Sequence, residues 1–447
     1  MTSQPGLWPS PWPAEDGGPR REQATAGVGG LRLADGGQLR LAAQRDAFAA
    51  TMVMLREPGE VFVLRHTLGR RPHRDPAVSW VERIDPITLE PLARSIDLPG
   101  GPFWPGGLLA HANGSLYVVF GRWCHRLSPE LELLASRRLA RPRPYNSLVV
   151  LADGTLAMKD LDRSLRTTTS LTLLHPDALV PRCDEVLLPE PSVGRLAADG
   201  STVYVVGART VWRLAWDGSR CSLDADWRLP YHGGHDHSYG WDPVISGGQL
   251  WFLDNGAHRY ATTMRAAGIT RGPVRLVRVS LDDAADHEFV EVCGRPRGTV
   301  TNPPLYDPER RIALAYDSGN GIVQAFRFDG RLTPLWRRGL DHAAHMLLFR
   351  ETGEVVVHDF RGPAFGRARL AQSLGQCSAA PARSRSIRGA LARVSGDDVV
   401  VLDLETGTEL GRARVPTMFQ SVLFPAPGLG RDLYWCTFST LARLEVA

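Results

Sequence analysis

The chain has 447 residues, of which 43% are hydrophobic and 22% charged, with a formal net charge of +4. These are globular proportions, and they exclude collagen-like, coiled-coil and wholly disordered chains. No apolar run reaches the roughly 18 residues of a membrane span, and the basic residues form no concentrated face, so neither a membrane nor nucleic acid is an expected partner.

In chain order, residues 1–28 come first. They are rich in Pro and Gly and are expected to be a disordered tail. They show no charged start followed by an apolar run, so no secretory signal is expected. The six cysteines are widely spaced with no CxxC pair, which fits free thiols in a reducing, cytoplasmic setting. Segment 30–41 is strand-like and has no neighbouring partner. A unit then repeats: an apolar run, a short turn with Gly or Asp, and a second apolar run. It occurs at 52–64, 108–120, 148–160, 195–206, 244–254, 305–317, 346–359 and 422–437. Each run is too short for a helix and ends in turn chemistry, so each copy reads as a β-hairpin. Further strand pairs follow at 80–90, 125–132, 323–330 and 399–407.

Four short strands repeated every roughly 40–60 residues predict an all-β fold, a single β-propeller over 29–447. Eight blades are expected, with seven as the alternative. The last unit has only three strands, and segment 30–41 is expected to supply its outer strand and close the ring, removing exposed sheet edges. Two long loops, 255–272 and 361–397, belong to one face, where long loops tend to bind ligands.

In a propeller, the residues before each first strand and after each second strand meet at one mouth of the central channel. Four second strands end there in acids: Asp160, Asp254 (followed by Asn255), Asp317 and Asp359. The first strands are preceded by Trp104, Tyr145, Asn146, His237, Tyr239, Trp241, Asn302 and His345. Carboxylate and amide oxygens suit a hard cation, so Asn146, Asn302, Asp317, Asp254 and Asn255 are the expected metal ligands, with calcium the first candidate. Imidazoles would suit iron or zinc instead. His345 and His358 are expected acid/base groups. Trp104, Tyr145, Tyr239, Trp241, His237, Asp160 and Asp359 are expected substrate contacts. The competing reading of each acid is a turn anchor that bonds nearby backbone. Lys159 is the only lysine among 52 basic residues. A lysine, unlike an arginine, readily loses its proton when buried, so Lys159 is an expected catalytic amine.

Segment 143–154, carrying Tyr145, Asn146 and Ser147, resembles the asparagine-bearing strand of the calcium-dependent gluconolactonase and paraoxonase-like propellers. Segments 302–308, 315–318 and 323–330 are similar to the later Asn and Asp strands of that family. The resemblance implies that Asn146, Asn302 and Asp317 bind calcium, which would polarise a lactone or ester carbonyl. The chain departs from the family at Ser147, where an Asp is expected, in the lack of an early glutamate ligand, and in having eight units instead of six. The repeats are of a WD40-like or lactonase-like kind. Segment 399–410 looks like a strand pair of quinoprotein-type propellers. A carotenoid-oxygenase-like iron site would draw on His66, His237, His345 and His358.

The expected function is therefore a monomeric, metal-assisted enzyme acting on a small organic substrate at the channel mouth, most concretely by lactone or ester hydrolysis. The alternative is a non-catalytic scaffold that holds a peptide or protein on the same face, with Trp104, Tyr239 and Trp241 as anchors. A histidine-ligated iron oxygenase is the third reading.

Overall fold

The short apolar runs pair into eight antiparallel sheets set around a ring, as a computed structural model shows for residues 4–25, 27–67, 76–362 and 395–447. Each sheet is one blade. The innermost strands, in chain order, are Ala50–Leu55, Pro105–Ala110, Val149–Val150, Leu196–Asp199, Val244–Ser246, Leu305–Asp307, Leu347–Phe349 and Ala426–Pro427, defining blades 1 to 8. In blades 1 to 7 the following strands lie progressively further out. In blade 1 the strand Leu98–Gly101 also pairs with the third strand, Ala77–Ile84. The eight-bladed propeller has no α-helix among the described residues, and no described helix is long and apolar enough to cross a membrane.

Burial falls from the ring centre outward. The second strands Leu116–Phe120 and Ile312–Asp317 are buried at every position, because each lies between two neighbouring blades. This explains why these segments read as continuous apolar runs instead of alternating ones. The outer strands Leu133–Arg138 and Glu409–Pro416 have exposed positions and polar residues. Each buried Val, Leu or Ile side chain contributes about 1.5–3 kcal/mol, so inter-blade packing dominates stability.

Ring closure follows the expected scheme, with a shift in register. The outer strand of blade 8 is Leu39–Asp46, which pairs antiparallel with the C-terminal strand Thr440–Val446. The expected segment 30–41 overlaps it only at its end. Residues 31–33 instead give their backbone N–H groups to the carboxylate of Glu354, at 2.7, 2.8 and 2.7 Å.

Residues 4–25 depart from the disordered tail that composition suggested. They enter the channel at the end where the inner strands finish, here called the lower end. Trp12 O accepts Leu55 N–H of blade 1 at 2.9 Å, and Pro13 O accepts Ala110 N–H of blade 2 at 2.8 Å. Pro19 O and Arg20 O accept from Ala198 of blade 4 and Ile245 of blade 5, and Gln23 O accepts from Leu348 of blade 7. Gly6, at φ 83°, lies so close to Val150 of blade 3 that a side chain there would collide with it. Trp12, Arg21 and Gln23 are at most 1% exposed. The physical reason is that the ring leaves inner-strand amides facing the channel, and an extended segment satisfies them.

The loop 255–272 closes over the opposite, upper end. Tyr260 donates its hydroxyl to Gln420 O at 2.9 Å and Met264 N–H binds Gln420 Oε1 at 2.6 Å, reaching blade 8. Arg265 reaches Asn320 O of blade 6 at 2.8 Å. Of the other expected loop, 361–397, residues 363–394 lie outside the described residues, as does Cys377. The remaining five cysteines are free thiols.

Candidate functional site

The four strand-end acids lie where the repeat places them, at the upper ends of the second strands, but they do not pool their oxygens. Each is bound to nearby backbone. Asp160 accepts Ser170 N–H at 2.6 Å, Asp254 accepts Arg275 N–H at 2.8 Å, and Asp359 accepts Asp341 N–H at 2.9 Å. Asp317 takes Thr299 N–H at 3.2 Å on one oxygen and Asn320 Nδ2 at 2.7 Å on the other. Three of them are also paired with arginine: Asp160 with Arg143, Asp254 with Arg275, Asp359 with Arg361 and Arg412. The turn-anchor reading fits this geometry. Burial raises Asp254 to about 6, against the opposing pull of Arg275.

The amides are engaged as well. Asn146 accepts Trp104 Nε1 at 2.9 Å and donates to Val193 O at 2.6 Å. Asn302 donates to Ala343 O and Thr301 Oγ1. Asn255, at φ 68°, accepts from Ser238 and Thr270 and donates to Gly272 O, tying two loops together. Of the calcium set implied by resemblance, the Asn146 and Asp317 oxygens thus already accept hydrogen bonds within the protein, while Asn302 is held through its Nδ2. Among the described residues, no group of three His, Cys, Asp or Glu is placed to hold a metal ion. The four histidines of the iron reading fall in different surroundings. His66 stacks on Phe120, His237 lies against Gly233 and Gly272, and His345 and His358 have separate partners.

Tyr145 is a correction. It was expected at the mouth, but its ring packs between blades 2 and 3 and its hydroxyl faces Glu185 at 3.4 Å and Arg141 N at 3.3 Å. Its side chain is claimed by the inter-blade core, and burial pushes its phenol up to about 12.

What does converge in the channel is a buried charge network that draws on the N-terminal segment. Arg21 binds Glu15 at 2.5 Å and also Asp16, and its Nη2 lies 3.4 Å from Asp242 Oδ2. Arg195 binds Glu15 at 3.0 Å and the carbonyls of Gly106 and Pro105 at 2.5 and 2.8 Å. Asp242 accepts Arg195 N–H at 2.6 Å. His345 Nδ1 lies 2.9 Å from Asp16 Oδ1, and its ring stacks on Phe424. Burial alone would raise Asp16, but His345, Arg21 and Arg195 hold it below the ordinary carboxylate value. Three carboxylates meet two guanidiniums here, with the His345 ring in contact with Asp16.

Lys159 sits beside this network. It is fully buried, and its Nζ has no hydrogen-bond partner. Burial lowers its pKa to about 7, opposed by Asp160 and Asp242 and reinforced by Arg195. Tyr316 is equally buried and places its hydroxyl near Thr301 and Asn302 without a well-aligned hydrogen bond. Its ring meets His342 edge to face, and His342 Nδ1 lies 3.2 Å from His358 Nδ1. Burial drives His342 down to about 3 and His358 well below its ordinary value, so both are neutral at pH 7. Asp397, 3.9 Å from His358 Nε2, is raised by burial to about 8 and is protonated at neutral pH.

An aromatic shelf lies at the same end of the channel. Tyr239 stacks with Trp241 at 5.9 Å, and both belong with Leu161 and Val193 to one apolar cluster against which Trp104 packs. The Arg163 guanidinium stands over Trp104 at 5.6 Å, and Phe103 extends the shelf to solvent at 37% exposure. The shelf and the amine are joined by backbone: Asn146 N–H binds Lys159 O at 2.8 Å while its side chain holds Trp104, and Trp241 directly precedes Asp242. A separate groove of 860 Å³ lies at the periphery between blades 3 and 4, lined by Arg182, Cys183, Glu185, Arg220 and Cys221 among others.

Sequence reasoning placed Lys159, Trp104, Tyr239 and Trp241 in this neighbourhood. It missed Glu15, Asp16 and Arg21. Trp8 and Trp12 were the available signal, since disordered segments are poor in aromatic residues.

No protein-family model matches the chain, and no curated protein matches it by sequence. Solved structures do match in shape. A europium-containing methanol dehydrogenase superposes with a TM-score of 0.59 at 10% identity, covering 97% of this chain and 89% of that one. BamB from Moraxella catarrhalis gives 0.52 at 12% identity, covering 91% and 99%. At such identities the likeness extends to the fold alone: the chain is an eight-bladed β-propeller.

Proposed function

We propose that the protein binds a small, planar organic molecule at the upper channel mouth and acts on it there. The observation that carries this reading is an aromatic shelf, Trp104, Tyr239 and Trp241, set beside a buried amine with no partner. Ligand sites combine apolar walls with a few polar groups that converge. The Arg163 cation and the unpaired Lys159 amine favour a ligand bearing a carboxylate or carbonyl oxygen.

Lactone or ester hydrolysis is one form that such chemistry could take. Calcium held by Asn146, Asn302 and Asp317 supports it less well, because those side chains are already bonded within the protein. The peptide-binding alternative draws on Phe103, the solvent-facing end of the shelf.

A thermal-shift series with benzoate and related aromatic acids tests the reading. Benzoate is expected to raise the Tm of the wild-type protein and to lose that effect in Trp104→Leu and Tyr239→Leu. Equal shifts in wild type and variants, or no shift at all, would count against a ligand on the shelf.

A further inference from the structure

We infer that Lys159 is an imine-forming amine, and that the ligand of the upper mouth is an aldehyde or ketone. This rests on the ligand-binding reading above and narrows its chemical class.

Three observations carry it. Lys159 is the sole lysine in the chain, in a protein that otherwise uses arginine for every side-chain cation of that length. Its Nζ is fully enclosed, and all of its hydrogen-bonding capacity is unmet. The two carboxylates nearest to it in charge are committed elsewhere, Asp160 to Arg143 and Ser170, and Asp242 to Arg195 and Arg21. A structural lysine buried in this way would hold an ion pair, because an unpaired buried ammonium is costly. A desolvated amine that sheds its proton near neutral pH is instead a nucleophile.

The step balances without a further reagent. The neutral nitrogen attacks the carbonyl carbon, and a C–N bond forms. The carbonyl oxygen takes up the two protons that the nitrogen loses and leaves as water, giving the imine. Trp104, Tyr239 and Trp241 would hold an aromatic carbonyl compound from the shelf side, where Trp104 and Arg163 are the groups open to solvent.

Reductive trapping tests this directly. The full chain is treated with benzaldehyde and sodium cyanoborohydride at pH 7, and modified positions are read by peptide mapping. The N-terminal α-amine serves as an internal reference. The lysine introduced by Arg138→Lys, on an exposed outer strand, serves as a second one. Lys159 is expected to label at least tenfold faster than the introduced surface lysine, which is almost wholly protonated at that pH. The map locates the adduct in wild-type protein, so the result does not depend on a Lys159 variant that folds. Labelling of the two reference amines with Lys159 untouched would overturn the inference. If benzoate still stabilises the wild type in that case, the imine fails and the binding reading stands. If neither occurs, both fail.

Discussion

The two ends of the channel are built from the same eight strands, yet they differ in which buried polar atoms go unpaired: at the lower end these include Trp12 Nε1, Arg21 Nε and Thr25 Oγ1, and at the upper end they belong to an amine, a phenol and two imidazoles. At the lower end, residues 4–25 give inner-strand amides of blades 1, 2, 4, 5 and 7 a carbonyl partner, and Arg21 engages Glu15 and Asp16 with both terminal nitrogens. At the upper end, Lys159 Nζ, Tyr316 Oη and the Nε2 atoms of His342 and His358 are buried without hydrogen bonds. Paired groups bind the N-terminal segment into the channel. Unpaired ones cost stability, and a fold retains them where something other than stability is served.

The comparison breaks most sharply at the N-terminus. Deleting residues 1–28 leaves the closing strand Leu39–Asp46 in place but strips the channel of Trp12 and the Arg21 network. Chemical unfolding is expected to show a loss larger than the roughly 3–5 kcal/mol of a single large core truncation. An unchanged midpoint would mean that the segment is a removable plug and not part of the fold. Arg21→Met is the narrower version. It leaves Glu15, Asp16 and Asp242 buried with one guanidinium fewer, and breaking a buried pair this way costs about 3–5 kcal/mol.

The same contrast explains what could be read from sequence. The eight hairpins were legible because inter-blade burial leaves continuous apolar runs, and turns such as Ala152-Asp153-Gly154 punctuate them, with Asp153 binding Thr155 N–H at 3.0 Å. Ring closure was legible because a three-stranded last unit needs a fourth strand, although the strand begins at Leu39 and not at residue 30. The N-terminal segment was not legible. Its partners are amides distributed over blades far apart in sequence, and composition does not encode long-range backbone pairing. Among the site residues, Lys159 was distinguished by type. The strand-end acids were placed correctly in the fold, but one acid at the end of a strand serves turn geometry and ligation equally well, and the sequence does not show the N–H groups of Ser170, Arg275 and Asp341 that these acids accept.

Lys159→Met sharpens the upper end. The native amine releases its proton near pH 7, whereas an unfolded lysine holds its own to about 10.4. Between those values the unfolded chain binds more protons, so the lysine lets stability rise with pH through that window. At and below pH 7 the penalty for the buried ammonium is close to complete. The methionine variant removes this dependence. Its gain over wild type, measured as a difference so that the thiols cancel, is expected to be of order 3–5 kcal/mol at pH 6–7 and to shrink toward pH 10. A constant difference across the range would mean that Lys159 is not desolvated in the native protein.

The smallest effect is expected from His342→Leu, and its sign is diagnostic. Native His342 stays neutral down to about pH 3, while an unfolded histidine takes up a proton below about 6.5. The stability that this difference supplies is fully present above pH 6.5 and is lost as the pH falls toward 3, at about 1.4 kcal/mol per pH unit. Replacing the ring by leucine also removes the acceptor for His358 N–H, 3.2 Å away, a cost of about 1 kcal/mol that does not vary with pH. The variant should therefore be less stable than wild type at pH 7.5 and should overtake it just below pH 6, with an acid slope shallower by one proton. His66, which burial lowers to about 4, and His358 remain in both proteins and set a common background slope. Parallel stability curves from pH 4.5 to 7.5 would show that the Tyr316–His342–His358 string is hydrated and already titrates in the folded state.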